Sequence, residues 1–206
     1  MTHEKIFHSA IFSSSIAYDL FQWAVGAHRF RRLVAKQYIC SQVGEHILDV
    51  GCGTAEILQF LPGVNYTGID PNQRYIQSAR SRYAGRHVTF RCASVSDLHS
   101  GQLLRFQKAL ALSMLHHLDD AEAQHLCRLL VELMQPGGQF IAIDPCLTES
   151  QSRIARFIIN SDRGSYVRSS EEYRALVQPF FSHVQSEIRQ DLLHIPYTHH
   201  IMICKA

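Results

Sequence analysis

The nine residues HILDVGCGT, at positions 46–54, constrain this chain more than any other stretch. A short run of strand length, His46 to Val50, stops abruptly at a turn with glycines at 51 and 53. A near-continuous apolar run ending in glycine reads as a strand buried on both faces, because a half-solvated strand would alternate apolar with polar residues. Glycines there let the backbone turn sharply and approach a ligand without a Cβ in the way. Exposed N–H groups at the start of a helix near Ala55 would favour a carboxylate or phosphate.

Four further runs share that texture: VNYTGI (64–69), HVTFRC (87–92), KALALS (108–113) and GQFIAI (138–143). Helical patterns separate them. Asn72 is placed to cap a helix in which Tyr75, Ile76, Ala79 and Tyr83 share a face. Asp120 is placed to cap another that buries Leu126, Leu129, Leu130 and Leu133 and ends at Pro136-Gly137-Gly138. Strands alternating with helices imply right-handed crossovers and a mainly parallel sheet, so the expected class is α/β. Upstream, residues 16–42 read as two amphipathic helices broken near Gly26. Downstream, 149–180 reads as helical, and 181–189 with 198–206 as a closing hairpin.

Composition bounds the partners. With 206 residues, 46% of them hydrophobic and 18% charged, the expectation is one globular domain. Twenty Lys plus Arg against 18 Asp plus Glu leave a net charge of +2, far from the basic footprint of a dedicated nucleic-acid binder. The cysteines at 40, 52, 92, 127, 146 and 204 never form Cys-x-x-Cys, and the histidines never form His-x-x-x-His, so no metal is expected. No window offers the roughly 18 apolar residues of a membrane span, and a cytoplasmic protein is expected.

Two details narrow the ligand of the glycine turn. The third glycine of a dinucleotide-binding G-x-G-x-x-G would fall at 56, which is Glu56, and an acidic residue, Asp49, precedes the turn. The second strand ends YTGIDP, placing Asp70 nineteen residues beyond Gly51. A carboxylate can accept two hydrogen bonds at once, so Asp70 at the edge of the neighbouring strand can hold both hydroxyls of a ribose. Both details argue against NAD and for a different nucleoside cofactor.

With ILDVGCGT, YTGID, ALSMLHHLDD and LMQPGGQFIAIDP in sequence, residues 46–145 resemble the class I S-adenosylmethionine-dependent methyltransferases, specifically the small-molecule branch with a methyltransferase-11/25 type of core. The resemblance implies a Rossmann-like three-layer sandwich with a seven-stranded, mostly parallel sheet in the order 3-2-1-4-5-7-6, its last strand antiparallel. It also implies an N-terminal helical lid (1–44), a cofactor-binding core (45–146) and an acceptor-side insert with closing strands (147–206). The cofactor implied is S-adenosyl-L-methionine, released as S-adenosyl-L-homocysteine. Carried over by position, Gly51, Cys52 and Gly53 lie under its methionine portion, Asp49 orients the turn or the amino group, and Asp70 with Pro71 flanks the ribose. Ser113 and Met114 run beside the methyl donor, and Tyr18 on the lid touches donor or acceptor. The family often places an acidic residue beside the adenine amine. Here that position is Ser94, with Val95 and Asp97 as the alternatives.

Methyl transfer to a hydroxyl is helped by a general base, and His116 or His117, just past the fourth strand, is the candidate. The same LHHLD stretch also reads as a packing and capping motif at a helix entry. Arg163, Tyr166 and Arg168, with Arg153, Arg156 and Arg174 nearby, stand where the superfamily builds its acceptor pocket and point to an anionic small molecule, unless they are surface ion pairs. His194, Tyr197, His199 and His200 either rim that pocket or belong to a turn and an edge strand. Arg29, Arg31 and Arg32 form a basic cluster that could meet the methionine carboxylate or simply face solvent. The expected function is metal-independent methylation of a small-molecule or biosynthetic-intermediate acceptor. The alternatives are a non-catalytic cofactor-binding regulator and an RNA-modifying methyltransferase. Oligomeric state is not encoded, because an apolar lid helix and a dimer-forming helix share one pattern.

Overall fold

The first strand, β1 (His46–Val50), holds the middle of the sheet. Ile47 pairs with Tyr66 of β2 (Asn65–Asp70) on one side and with Lys108 of β4 (Phe106–Leu112) on the other. In this computed structural model, which describes residues 25–98, 105–161 and 164–206, β3 (Val88–Cys92) lies outside β2, and β5 (Met134–Leu147) lies outside β4. All these pairs are parallel. A two-residue strand, β6 (Arg168–Ser169), joins the far end of β5. The last two strands, β7 (His183–Arg189) and β8 (His199–Lys205), pair antiparallel with each other, and β8 also pairs antiparallel with β5. The order is β3-β2-β1-β4-β5-β8-β7. It is the expected seven-strand order, the short β6 shifting the last two numbers by one.

Strand parity sorts the core into two layers. Leu48 and Val50, Ala109 and Ala111, Phe140 and Ala142, and Met202 and Cys204 face one side, where α3 (Asp120–Leu133) and α5 (Ser170–Val177) cover them. Ile47, Leu110, Ile141, Ile143 and Ile201 face the other, under α1 (Ala27–Val34) and α2 (Gln73–Arg82). Strands buried on both faces need apolar residues at nearly every position, which is why they appear as continuous runs in the sequence. Another helix, α4 (Arg153–Asn160), packs beyond the end of β5 and is capped by the Ser152 hydroxyl, which accepts the Ala155 N–H at 3.1 Å.

Helix boundaries follow local capping chemistry. The Asn72 side chain accepts the N–H groups of Arg74 (3.0 Å) and Tyr75 (3.4 Å) and so starts α2 as expected. Ile76, Ala79 and Tyr83 are buried there, whereas Tyr75 is exposed. For α3 the cap is Asp119, one residue earlier than expected. Its carboxylate accepts the Glu122 N–H at 2.9 Å while Glu122 accepts the Asp119 N–H at 3.1 Å, a reciprocal box that frees Asp120 for another partner. Past the glycine turn the expected helix is a short 3-10 turn, Glu56–Phe60, because Ala55 enters the left-handed region at φ 57°.

The break near Gly26 is real: φ there is 85°, and a Cβ would stand 3.0 Å from the His194 ring. After Val34 the helix widens into a π-helical turn, Ala35–Ile39, and ends at Cys40 with φ 45°. This first described helix is laced to the closing hairpin. Arg29 donates to the carbonyls of Asp191 and Leu192, Tyr38 donates to Glu187, Arg189 donates to the Tyr38 hydroxyl at 2.5 Å, and Phe30 stacks on His199 at 5.2 Å. The expected helix over 16–24, with Tyr18 and Trp23, lies outside the described residues. Among the described residues no helix is long and apolar enough to cross a membrane.

Candidate functional site

Parallel strands bring their carboxyl ends to one edge, so the ends of β1, β2, β4 and β5 gather Asp49, Asp70, Ser113 and Asp144 there. The glycine turn after β1 is pinned to β2: the N–H groups of Gly51 and Cys52 both donate to the Ile69 carbonyl at 2.9 Å. Gly53 N–H donates to Asp70 Oδ2 at 2.9 Å, and Asn72 N–H donates to Asp70 Oδ1 at 2.8 Å. These N–H groups are therefore engaged within the protein, and the turn is not the anion-binding helix start that its glycines suggested. What it presents instead is a carboxylate fixed through both oxygens, each with a lone pair left for a hydroxyl donor.

Glycine is required at two of these positions for different reasons. Gly51 has φ 75°, and a Cβ would stand 2.7 Å from Met114 Cγ. Gly68, which the sequence reading passed over, has an unremarkable φ. A Cβ there would meet Cys52 Sγ at 2.8 Å, Tyr66 Cε1 at 2.9 Å and Phe90 Cδ1 at 3.0 Å. At Gly53 a Cβ would meet nothing within 4 Å, so the turn opens onto space that a ligand can occupy.

Asp49 is 2% exposed and accepts a hydrogen bond from the Tyr66 hydroxyl. Burial pushes its carboxyl up to about 7, the Tyr66 hydrogen bond pulls the other way, and the Asp70 carboxylate adds to the rise. The sequence places Tyr66 only within the second strand. Its role follows from register, since Ile47 pairs with Tyr66 and Asp49 with Gly68 on the same face. Cys52 remains a thiol: burial first, then the Asp49 and Asp70 charges, push it well above its ordinary range. Cys146 is likewise raised to about 12 by burial and by Glu171 and Glu172, which suits a core thiol rather than a nucleophile.

On the β4 side, Ser113 holds φ 56°, a strained value for a residue with a Cβ, and its N–H donates to the Ile143 carbonyl at 2.6 Å. Met114 then packs against Gly51, and a 3-10 turn, Leu115–His117, follows. His116 is 1% exposed. Both its backbone N–H (3.1 Å) and its ring Nδ1 (2.7 Å) meet Asp144 Oδ1 at the end of β5. A carboxylate can only accept, so Nδ1 carries a proton in this bond, and in the neutral ring Nε2 is left as the acceptor. The His117 ring lies 4.1 Å from that of His116 and is exposed. Gly164 covers the His116 ring so closely that a Cβ there would overlap it, and Tyr166 N–H donates to the His116 carbonyl at 3.0 Å.

Several expected contacts are placed otherwise. Ser94 caps a short turn: its N–H and hydroxyl donate to Asp97 at 2.8 and 2.7 Å, so both residues are engaged with each other, and Val95 follows within that turn. Pro71 is exposed, with its carbonyl near Cys92 Sγ at 3.4 Å. Arg168 is buried, and its guanidinium is taken up by Asp120 and three backbone carbonyls, so it offers nothing to an anionic acceptor. Arg156 donates to the Thr148 carbonyl at 2.7 Å, and Arg29 is tied to the hairpin, which removes one member of the basic cluster that an RNA reading would use. His199 and His200 are buried among Phe30, Tyr197 and Tyr173, on β8, which lies between β5 and β7 and so is not the edge strand that was expected. Tyr166 is 43% exposed. Arg163 and Tyr18 lie outside the described residues, and among the described residues no cluster of His, Cys, Asp and Glu could hold a metal ion.

Known proteins match this arrangement. The methyltransferase domain family matches residues 47–138. The O-methyltransferase resE of Aspergillus sclerotiorum is 32% identical over 132 residues, 60% of this chain and 48% of that protein. A ubiquinone biosynthesis O-methyltransferase of Alkalilimnicola ehrlichii is 36% identical over 103 residues, 48% of this chain and 40% of that one. The chain thus spans about half the length of these relatives or less. Among solved structures, the pyocyanin biosynthetic protein PhzM superposes with a TM-score of 0.72 at 18% identity, over 97% of this chain and 62% of that one. Sequence match, strand order and the acidic-glycine turn agree: residues 47–138 are a methyltransferase domain, set in the fold of the class I S-adenosylmethionine-dependent methyltransferases.

Proposed function

We propose that this protein methylates a hydroxyl oxygen of a small organic acceptor, with His116 as the general base. The observation that carries this reading is the buried His116–Asp144 pair at the strand edge that also holds the cofactor residues. A histidine oriented through Nδ1 by a buried carboxylate has its other nitrogen set to accept a proton, an arrangement suited to hydroxyl activation. The names of the two relatives, both O-methyltransferases, support the same acceptor chemistry.

The residues suit the family's cofactor. When bound, S-adenosylmethionine supplies a methyl group already activated by its sulfonium. Asp70, pinned by Gly53 and Asn72, would hold the ribose hydroxyls, and the open face of the turn at Gly53 would lie under the methionine portion. Asp49 would stand near the amino group. His116 Nε2 takes the acceptor's hydroxyl proton, and Asp144 stabilises the imidazolium that results. An anionic acceptor is not required, since Arg168 has no donor to offer it.

The test is transfer of a labelled methyl group from S-adenosylmethionine to a panel of phenols and aliphatic alcohols, with wild type and His116→Gln. Labelled ether formed by the wild type and lost in the variant, at unchanged cofactor affinity, supports the reading. Transfer that persists in His116→Gln removes the base. Micromolar cofactor binding with no transfer to any acceptor favours a non-catalytic cofactor-binding protein.

A further inference from the structure

The turn that carries His116 is a poor structural element by itself. It follows a strained Ser113 and is closed by two backbone bonds, His117 N–H to the Met114 carbonyl at 3.0 Å and Leu118 N–H to the Leu115 carbonyl at 3.1 Å. Such a short 3-10 piece has eclipsed side chains and weak hydrogen-bond geometry. Something outside it must hold the ring on Asp144.

That role falls to Arg168, brought beside the turn by the pairing of β6 with the end of β5. Its Nη1 donates to the carbonyls of Leu115 (3.2 Å) and Tyr166 (3.0 Å), and its Nη2 donates to the carbonyl of Leu118 (2.9 Å). Nε (3.1 Å) and Nη2 (2.7 Å) also meet Asp120 Oδ1. Leu115 and Leu118 bracket His116 and His117, so one rigid guanidinium fork spans the whole turn and ties it to the first residue of α3. The rings of Tyr166 and Tyr173 each lie 5.7 Å from the guanidinium carbon, which fixes the plane of the fork. Through the Tyr166 carbonyl the same group secures the backbone whose Tyr166 N–H meets the His116 carbonyl.

We propose that Arg168 is a positioning residue for the methyl-transfer step, holding the Leu115–Leu118 turn so that the His116 ring stays in register with Asp144. The proposal rests on the reading of His116 as the base, but its first readout does not depend on turnover. In this 206-residue chain, Arg168→Met and Arg168→Lys are compared with wild type by nitrogen-15 NMR of the histidine rings, with His116→Gln assigning the His116 signal.

In wild type the His116 ring gives one set of signals, with Nδ1 protonated. In Arg168→Met that signal broadens or splits between tautomers, while S-adenosylmethionine affinity, set at Asp49 and Asp70, stays within about twofold. With an acceptor in hand, kcat falls about 10- to 100-fold with KM little changed, the scale expected of a misplaced catalytic group. Lysine restores only part of this, because a point charge cannot reach carbonyls on both sides of the turn. An unchanged His116 signal in Arg168→Met overturns the proposal even if His116 proves to be the base. A changed signal in a protein whose turnover ignores His116→Gln keeps the clamp and rejects the base. If Arg168→Met fails to fold, Asp120→Ala provides the second variant: it removes the exposed carboxylate partner alone. It is expected to shift the same signal, and no shift there counts equally against the proposal.

Discussion

Asp144 Oδ1 receives two N–H groups of the same residue, the backbone and the ring Nδ1 of His116, so one carboxylate oxygen sets both the position and the tautomer of that histidine. An amide in place of the carboxylate keeps the shape but can present its NH2 to the ring and reverse the tautomer. Asp144→Asn is therefore expected to lower the methyl-transfer rate by about 100- to 10,000-fold, comparable with His116→Gln. Calorimetry should show cofactor affinity unchanged in both. A rate in Asp144→Asn within a few-fold of wild type would remove the pair from the chemistry.

If Asp49 stands beside the cofactor as proposed, binding is expected to depend on pH. With its carboxyl near 7, it is mostly protonated at pH 6 and mostly ionised at pH 7.5. A cationic ligand binds the ionised form better, so S-adenosylmethionine affinity should rise about five- to tenfold across that interval. Asp49→Asn should flatten the profile. Kd measured at several pH values with both proteins decides it.

His199 makes stability depend on pH in the opposite sense to Asp49. Burial lowers the His199 ring to about 4 from 6.5, so below pH 6.5 the unfolded chain takes up a proton that the folded one refuses. The loss of stability begins near 6.5 and is complete near 4, up to about 3 kcal/mol. Asp49 is raised instead, so its contribution is fully present below about 3.8 and lost as pH rises through about 7. The two partly cancel in the wild type. Urea unfolding of His199→Phe should therefore show less acid destabilisation than wild type between pH 6.5 and 4, and identical slopes would refute the assignment.

Gly51→Ala should destabilise the protein by about 1–3 kcal/mol, through the left-handed backbone and the contact with Met114. Adding Met114→Ala relieves the contact and leaves the backbone term. A double variant that recovers full stability would show that φ at position 51 carries no strain.

The sheet was legible because its physics is local. HILDV is apolar almost throughout because β1 is buried on both faces, and Asn72 announces α2 because its side chain caps the N–H groups of Arg74 and Tyr75. Asp49, Gly51, Gly53 and Asp70 stood out because a glycine turn and two strand-end acids are close in sequence. Tyr66 and Asp144 did not, because each reaches its partner across strands, 17 and 28 residues away. Arg168 was read as a substrate contact since an arginine's backbone-carbonyl partners leave no mark in sequence; two of them lie 50 and 53 residues away. The helix expected after Ala55 fails because nothing in an alanine signals a φ of 57°.

The lacing of α1 to the β7–β8 hairpin sets an order on how the chain can assemble. Arg29, Phe30 and Tyr38 find partners at Glu187, Arg189, Asp191, Leu192 and His199, 149 to 169 residues further along. During synthesis the strands from β1 to β5 can pair well before those partners leave the ribosome, whereas α1 has nothing at the hairpin to dock on until they do. The contacts that lace α1 to the hairpin thus form only once β7 and β8 have been made, although the same helix also packs on the sheet face of Ile47, Leu110 and Ile141.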